Sequence, residues 1–469
     1  MTRRNFSKDP SYLNWFRSAN LNLTRRELSV IETRVKKEVE ILSGLSTKDR
    51  FLYMKRDEIQ RWYPTQSAKD LLWVQRNIFN TRGKSDFRRI DPELVEISED
   101  FLLSTKNIWG ESSPIVIKNK DLHKTHWDIL RTLVSSAPND GMVGRAVRFL
   151  VIDRTSNTYL GVICIGSAMF RNKPIHAEIG WNAEIIKKRR AKSGRPGLHN
   201  IANGQTIVPT QPFGSNFLGG KLLALLCLSD VVANAWQRKY GDKLVGVHTT
   251  SLYGSSDGTQ YSNLSPYWRE LSPTPGEEAI KLTATTYELL KLWLKNKFPM
   301  KYYQLFEAKN EETGMLETRE SKSQALPFAY RQMGIENYTS GEQRGVYSSF
   351  LYSNSVDYLN ERVAETDLVP AFDNSVEILT DFWRFGSMGD TTKPTEELKR
   401  KEKKPDRIRK KIEMKGLVKG NLSKRGSQRL VTSGPRVEWY LPIKDLSWDE
   451  VRSRYSDQPV ANEKPQAVL

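Results

Sequence analysis

The N-terminal part of the chain has apolar residues at the spacing of an amphipathic helix. The stripe begins four residues after Thr24, which forms a capping-box pattern with Glu27, and Gly44 follows soon after its last member. We predict a helical region over residues 1–110, with an apolar face that packs on the rest of the protein or on a partner. The stripe consists of Leu28, Ile31, Val35, Val39 and Leu42.

The pattern changes to a strand period at Arg145. RAVRFLVID and YLGVICIGSA are apolar, β-rich runs separated by RTSNT, which predicts a β-hairpin. The segments that follow predict a strand (QTIVP), a helix (GKLLALLCLSDVVANAWQRKYG), a strand (LVGVHTT), a helix (EEAIKLTATTYELLKLWLKNKF) and a strand (KYYQLFE). This order indicates an α/β fold with a mixed sheet, which we place at residues 140–310.

The rest of the chain differs in composition. Residues 311–392 mix helical and loop signals and predict an extension of the core. Between Lys399 and Arg429 there are 14 Lys or Arg and 3 acidic residues. Few large apolar residues interrupt this run, so we predict a basic, partly disordered segment at 393–435. The aromatic segment 436–469 is expected to dock back as a strand and a helix.

The overall charge points to a polyanionic partner. The 469 residues include 73 Lys and Arg against 55 Asp and Glu, a net charge of +18. Nucleic acid is the first expectation, DNA more than RNA, with a membrane surface or a ribosome-like role as alternatives. Cys164 and Cys227 lie in apolar runs and are predicted to be core thiols. The N-terminus lacks an apolar signal segment and no run reaches 18 apolar residues, so we expect a cytoplasmic protein without a membrane span.

A glycine-rich junction between a strand and a helix is the first candidate site. The stretch QTIVPTQPFGSNFLGGKLLALL passes from strand to helix through a loop with three glycines. Glycine permits close approach of a ligand, and a helix start presents unpaired N–H groups, so the junction suits an anion. A loop with a purely structural role is equally compatible with this sequence, and both interpretations stay open.

Several motifs of the middle region, taken in order, resemble the DruA-like domain, a family named after the Druantia anti-phage defence protein. They are YLGVICIGSA, EIGWN, NIANGQTIVP, GGKLLALLCLSDVVANAWQRKYG, LVGVHTT, GTQY, PYWRELSPTPG and KYYQLFE, within residues 150–307. The family is associated with phage and mobile elements. Its domain is similar to a GNAT acyltransferase core, the fold also of Mom-type phage enzymes that modify adenine in DNA.

This resemblance implies a cofactor site at the glycine junction. The GNAT pattern Q/R-x-x-G-x-G/A binds a pyrophosphate, and acetyl-CoA or another small activated donor would be the cofactor. Asn216 stands where the pattern has Gly or Ala, and further glycines open the helix. The candidate cofactor-binding residues are Gln211, Gly214, Asn216, Gly219, Gly220 and Lys221.

The resemblance also implies catalytic residues. Tyr267 best matches the tyrosine that protonates the leaving thiolate, and Tyr261 is a rival for that position. His248 and Thr249 stand where the family has a Glu-Thr pair, so His248 would be the general base. The alternative is that the tyrosines are packing aromatics.

Two basic stretches are candidate nucleic-acid contacts, one in a loop near the glycine junction and one in the tail. A solvated charge run is the alternative for each. No metal site is expected, because His123 and His126 have no third ligand at a recognisable spacing. The basic candidates are Lys187, Lys188, Arg189, Arg190, Arg195, Lys399, Arg400, Lys401, Arg409, Lys410 and Lys411.

The sequence thus supports two functions. The first is a GNAT-like transferase that modifies nucleobases of DNA, which requires a single-stranded or flipped base. The second is a non-catalytic DNA-binding subunit of a phage or an anti-phage defence system.

Overall fold

A computed structural model describes most of the chain outside the basic tail. The described residues are 9–79, 90–97, 101–106, 112–117, 120–139, 144–169, 172–188, 195–211, 213–251, 259–262, 264–276, 278–309, 321–341, 343–385 and 441–455. The predicted segment 393–435 therefore lies outside them.

A seven-stranded sheet is the centre of the fold. Its strand order is β1-β4-β5-β6-β7-β9-β8, and a separate two-stranded sheet pairs β2 with β3. Neighbours in the large sheet are antiparallel except β6 and β7, which are parallel. The predicted α/β class with a mixed sheet is thus confirmed. The strands are β1 (Pro92–Glu96), β2 (Phe101–Lys106), β3 (Ser112–Ile117), β4 (Ala146–Asp153), β5 (Thr158–Ser167), β6 (Ile201–Pro209), β7 (Gly246–Thr250), β8 (Arg269–Leu271) and β9 (Val346–Phe350).

Helices begin where the sequence supplies caps. The long N-terminal helix starts at Thr24 with the predicted capping box, in which Thr24 and Glu27 each bond to the other's backbone N–H. The helices are α1 (Pro10–Ser18), α2 (Arg25–Ser43), α3 (Thr47–Trp62), α4 (Ala68–Arg76), α5 (Lys120–Val134), α6 (Lys173–Ile179), α7 (Ala183–Lys188), α8 (Phe213–Asn216), α9 (Gly219–Leu226), α10 (Asp230–Tyr240), α11 (Ala284–Lys297), α12 (Pro299–Phe306), α13 (Ser321–Gln332), α14 (Ser355–Leu359), α15 (Val376–Phe385) and α16 (Trp448–Tyr455).

The chain divides into two compact units built from separate segments. One contains Met1–Arg61, Pro275–Gln343 and Asp445–Leu469. The other contains Trp62–Thr274 and Arg344–Lys444, and it holds the seven-stranded sheet. Residues 275–343 therefore join the N-terminal helices, although the sequence places them between two strands of the sheet.

Strand β5 shows how the sheet is covered on both faces. Val162 and Cys164 pack in one cluster with Trp127 of α5, whereas Ile163 and Ile165 pack in another with the leucines of α9. Side chains alternate between the faces of a strand, so a strand covered on both sides reads as a continuous apolar run. Cys164 and Cys227 are both buried free thiols, as predicted.

Three predicted elements differ from the structure. KYYQLFE was predicted as a strand but forms α12, in which Pro299 occupies the first turn and Tyr303 and Leu305 are buried. The strand that pairs with β7 is instead β9, in VYSSF. The region predicted as helical over 1–110 also contains strands β1 and β2.

The long apolar helix predicted after the glycine junction is two helices. Helices α9 and α10 meet at an angle of 44°. Within the described residues no single helix has the length and apolarity needed to cross a membrane, although this bent pair passes the same test jointly. Leu222 to Leu226 are fully buried within the protein.

Candidate functional site

The glycine junction is closed by the protein's own side chains. The amide of Gly214 donates to the carbonyl of Thr210 at 2.8 Å, and that of Lys221 donates to the carbonyl of Leu218 at 2.8 Å. A Cβ on Gly219 would lie 2.4 Å from two ring carbons of Phe213, and one on Gly220 would lie 2.9 Å from Oε1 of Gln260. Phe213 and Gln260 therefore occupy the space beside these two glycines, which leaves no room for a pyrophosphate on that side of the loop.

Gln211 and Lys221, two further candidate cofactor-binding residues, also contact other atoms of the protein. Nε2 of Gln211 lies 2.5 Å from the position of a Cβ on Gly214, and Gln211 itself is buried. The ammonium of Lys221 donates to the backbone carbonyl of Ser262. Asn216 ends α8, and its side chain lies outside the described atoms.

Residues 259–262 fill the gap between β6 and β7. These strands pair only from Ile201 to Asn203, opposite Gly246 to His248, although β6 continues to Pro209. Nε2 of Gln260 donates to the carbonyl of Ile207 at 3.0 Å, so a side chain takes a bond that a neighbouring strand would otherwise make. Oγ1 of Thr249 still donates to the carbonyl of Gly204 at 2.8 Å, so the two strands remain in contact one residue beyond the paired segment.

Tyr261 and Tyr267 lie in packed aromatic surroundings. The ring centroid of Tyr261 is 4.9 Å from that of Tyr347 and 5.2 Å from that of Trp268. Tyr267 is 3% exposed, and its ring contacts those of Phe372 and Phe382 edge-on at 4.8 Å. Burial raises the pKa of both hydroxyls, which makes each a weaker acid.

His248 lies on the opposite face of the sheet from Tyr261. Val247 shares a cluster with Tyr261 and Tyr267, and alternation along β7 turns His248 to the other face. His248 is 2% exposed, and neither ring nitrogen has a hydrogen-bond partner. Burial, followed by repulsion from His176, lowers the pKa of His248 to about 3. The structure therefore does not bring the three predicted catalytic residues together.

Helix α6 brings further polar groups to the face that carries His248. His176 on α6 is also buried, and its Nε2 has no hydrogen-bond partner. Glu178 on the same helix forms an ion pair with Arg269 of β8. Arg269 is opposite Ser348 of β9, which is opposite His248. Unpaired buried nitrogens are costly, so they commonly mark a functional group or an internal water.

Most of the predicted nucleic-acid contacts cannot be placed. Lys187 and Lys188 end α7, but their side chains lie outside the described atoms. Arg195 is exposed, with its Nε 3.7 Å from a carboxylate oxygen of Glu361. The others, outside the described residues, are Arg189, Arg190, Lys399, Arg400, Lys401, Arg409, Lys410 and Lys411.

The structure groups several cations that the sequence did not single out. They surround the C-terminal end of α10, where Trp236 Nε1 donates to the carbonyl of His199 and Asn200 donates to the carbonyl of Lys243. The loop after Arg195 therefore packs beside this helix end. We call this set the α10 cationic surface; it consists of Arg145, Arg238, Lys239 and Lys243.

Aromatic rings and backbone carbonyls hold several of these cations in place. The guanidinium of Arg145 lies 4.8 Å from the ring centroid of Tyr240 and also pairs with Asp242. Lys239 Nζ donates to the carbonyl of Ala146 at 2.9 Å, and Lys243 Nζ lies 5.5 Å from the ring of Tyr352. The sequence signal was QRKYGDK, which is also the composition of an ordinary helix C-terminus.

Two carboxylates moderate the charge of this surface. Arg238 Nη2 is 2.6 Å from an oxygen of Glu96. Asp242 also lies 3.5 Å from Nε2 of His199, whose pKa is lowered by burial although Asp242 opposes that shift.

The sequence predicted no metal site, because His123 and His126 have no third ligand at a recognisable spacing. Among the described residues, no group of three or more His, Cys, Asp or Glu side chains is arranged to hold a metal ion. His126 is buried and its Nδ1 lies 2.8 Å from the hydroxyl of Tyr159. The side chain of His123 lies outside the described atoms.

Comparison with known proteins identifies the family. The model of the family "Druantia protein DruA" matches residues 100–360, more than half of the 469-residue chain. The curated Druantia protein DruA of Escherichia coli (strain UMEA 4076-1) is 26% identical over 255 residues. That match covers 51% of this chain and 59% of the relative's length. No solved structure matches the chain. The chain belongs to the Druantia protein DruA family.

Proposed function

We propose that this chain is a DNA-binding component of a Druantia-type anti-phage defence system. Family membership supports the defence assignment. The α10 cationic surface is the observation that carries DNA binding, because it groups four cations at the end of α10, beside residues 199–200, which follow the predicted contact loop. A surface of this kind binds a phosphate backbone without reading sequence.

The two lysines are the members most available to phosphate. Lys239 contacts a carbonyl oxygen and Lys243 contacts an aromatic ring, and neither contact neutralises the ammonium. Arg145 and Arg238 are each paired with a carboxylate, which lowers their contribution. The closed glycine junction also favours binding over catalysis.

We expect the double substitution Lys239→Ala and Lys243→Ala to weaken binding of duplex DNA about tenfold at low salt. The slope of log affinity against log salt should fall by about 2, because two phosphate contacts no longer release counterions. Fluorescence anisotropy with a labelled duplex at several salt concentrations measures both quantities.

Lys36→Ala is the control for total charge. Lys36 lies on α2, with its side chain 48% exposed and its ammonium 3.1 Å from Glu32. Its loss should leave the salt slope nearly unchanged. If Lys36→Ala weakens binding by as much per lysine as the double substitution does, only net charge matters and an α10 interface is refuted.

A GNAT-like transferase that modifies DNA is the second candidate. Two observations favour it: the backbone pairing of β6 with β7 ends after three residue pairs, although β6 continues to Pro209, and His248 is buried at the last of these pairs without a hydrogen-bond partner. Residues 259–262 would have to leave the gap before a donor could enter.

Nucleoside mass spectrometry of DNA from expressing cells distinguishes the two candidates. A new nucleoside mass that disappears with His248→Ala would favour the transferase. The binding function instead predicts unchanged nucleosides, and DNA affinity that survives both Tyr267→Phe and His248→Ala, because neither side chain belongs to the α10 cationic surface.

A further inference from the structure

Two helices of the other compact unit, α1 and α12, form a layer of aromatic rings. The ring of Trp15 on α1 stacks with that of Tyr302 on α12, with centroids 5.9 Å apart and planes at 18°. Tyr302 is followed one turn later by Phe306, at 4.9 Å. Tyr12 and Tyr303 are buried beneath this layer and contact each other edge-on at 5.3 Å.

Helices α1, α11 and α12 also carry large apolar side chains that are exposed to solvent. Phe16 is 40% exposed and Leu13, three residues earlier on the same helix face, is 38% exposed. Leu292 of α11 is 46% exposed and Met300 of α12 is 38% exposed. Large apolar groups exposed together on packed helices mark an interaction surface more often than single exposed residues do.

Cations border the aromatic rings. Lys295 of α11 has its ammonium 6.0 Å from the ring centroid of Trp15, and Arg17 follows Phe16 on α1. Residues 284–306 contain four lysines and one acid, Glu288, which is held by Lys291 at 2.6 Å. Glu307 is the next acid near Tyr302. Lys297 lies 3.7 Å from a carboxylate oxygen of Glu32, and Lys295 is a cation that the structure places over a ring of this layer.

We infer that this aromatic surface of α1, α11 and α12 binds single-stranded DNA, with a base stacked on the exposed ring of Phe16, next to the packed rings of Trp15 and Tyr302, and the phosphates facing Lys295 and Arg17. Proteins that bind single strands combine aromatic faces with cations in this way. Bases in a duplex are inaccessible to such rings, so the surface selects unpaired strands. The inference rests on the proposed DNA-binding function and adds a second contact site and a strand preference.

The experiment compares a thymidine 30-mer with a duplex of equal length, using the full chain. Phe16→Ala is expected to weaken binding of the single strand about fivefold or more, and Lys295→Gln about twofold to threefold, while duplex affinity stays within about twofold. Leu72→Ala is the matched control, because Leu72 is a similarly exposed apolar residue, 45%, on α4 of the sheet unit.

Photo-crosslinking gives a readout that does not depend on folding of the variants. A 5-iododeoxyuridine oligonucleotide is irradiated with the wild-type chain, and the crosslinked peptides are found by mass spectrometry. Crosslinks within residues 10–18 or 299–306 support the inference.

The possible failures are separable. If the wild type binds DNA but neither variant changes single-strand affinity and no crosslink falls on these helices, the inference is overturned and the proposed function stands. If the wild type binds no DNA, the proposed function fails and the inference fails with it. If Phe16→Ala instead abolishes association with a protein of the same defence system and leaves DNA affinity unchanged, the surface is a protein interface and the inference is overturned.

Discussion

Replacing Gly219 by alanine is expected to lower the free energy of unfolding by about 2 kcal/mol, a typical cost of forcing a methyl group into a packed core. The new Cβ would lie 2.4 Å from two ring carbons of Phe213. That ring is fully buried and is itself held by Phe79 at 5.6 Å and Trp383 at 6.0 Å. It cannot move aside without disturbing its neighbours, so the strain is not relieved locally. Urea unfolding followed by tryptophan fluorescence measures the change.

Gly44→Ala is the control for this substitution. Gly44 follows α2 with a φ of −81°, and the nearest atoms to an added Cβ are 3.7 Å away. Alanine fits there, so its stability should stay within about 1 kcal/mol of the wild type. A Gly219→Ala protein with unchanged stability but weaker binding of acetyl-CoA or a similar anionic donor would mean that Gly219 makes room for a ligand rather than for Phe213.

The glycine junction illustrates a limit of sequence reasoning. The sequence of residues 205–226 correctly predicted a strand and a helix joined by a loop, because the spacing of apolar residues that indicates these elements is a local property. Whether the glycines admit a ligand depends on Phe213 and Gln260. Gln260 is distant in sequence and reaches Gly220 only through the tertiary fold. A glycine that admits a phosphate and one that admits a phenyl ring are identical in the sequence.

The sheet illustrates the same distinction at a larger scale. The hairpin, β6 and β7 were predicted because their apolar runs are long and β-branched. KYYQLFE was predicted as a strand, and aromatic residues favour strands, but Tyr302 and Phe306 are one helical turn apart and their rings contact each other in the helix that Pro299 begins. β9 lies about 70 residues after β8, and the intervening chain belongs to the other compact unit. No local pattern indicates that a strand pair is split in this way.

The candidate site was predicted only in part. Arg195 was predicted as a contact because it lies in a basic loop. Arg145 immediately precedes β4, about 90 residues before the end of α10 in the sequence, and only the fold places it beside Tyr240. Cations at a helix C-terminus are common for dipole reasons alone, so QRKYGDK did not stand out. Its contact with Asn200, which follows the basic loop, exists only in three dimensions.

Lowering the pH from 7 to 5 is expected to destabilise the protein by about 2 kcal/mol through His248 alone. Its pKa is about 3 in the folded protein, mainly because of burial, against an unfolded value of 6.5. Between these values the unfolded chain binds the proton and the folded chain does not. Stability therefore falls as the pH drops below 6.5, and the loss levels off near pH 3. His176, whose pKa is also lowered by burial, adds in the same direction.

The test compares wild type with His248→Gln by urea unfolding at both pH values. Glutamine cannot take up the proton, so the variant should lose about 2 kcal/mol less than the wild type on going from pH 7 to pH 5, whatever its stability at pH 7. Val247→Ala is the control on the same strand, because it removes buried methyl groups from a non-ionising side chain and should be equally costly at both pH values. If His248→Gln and the wild type lose the same stability, His248 is not held neutral in the folded protein. The unpaired nitrogens would then have partners that stabilise the charged ring.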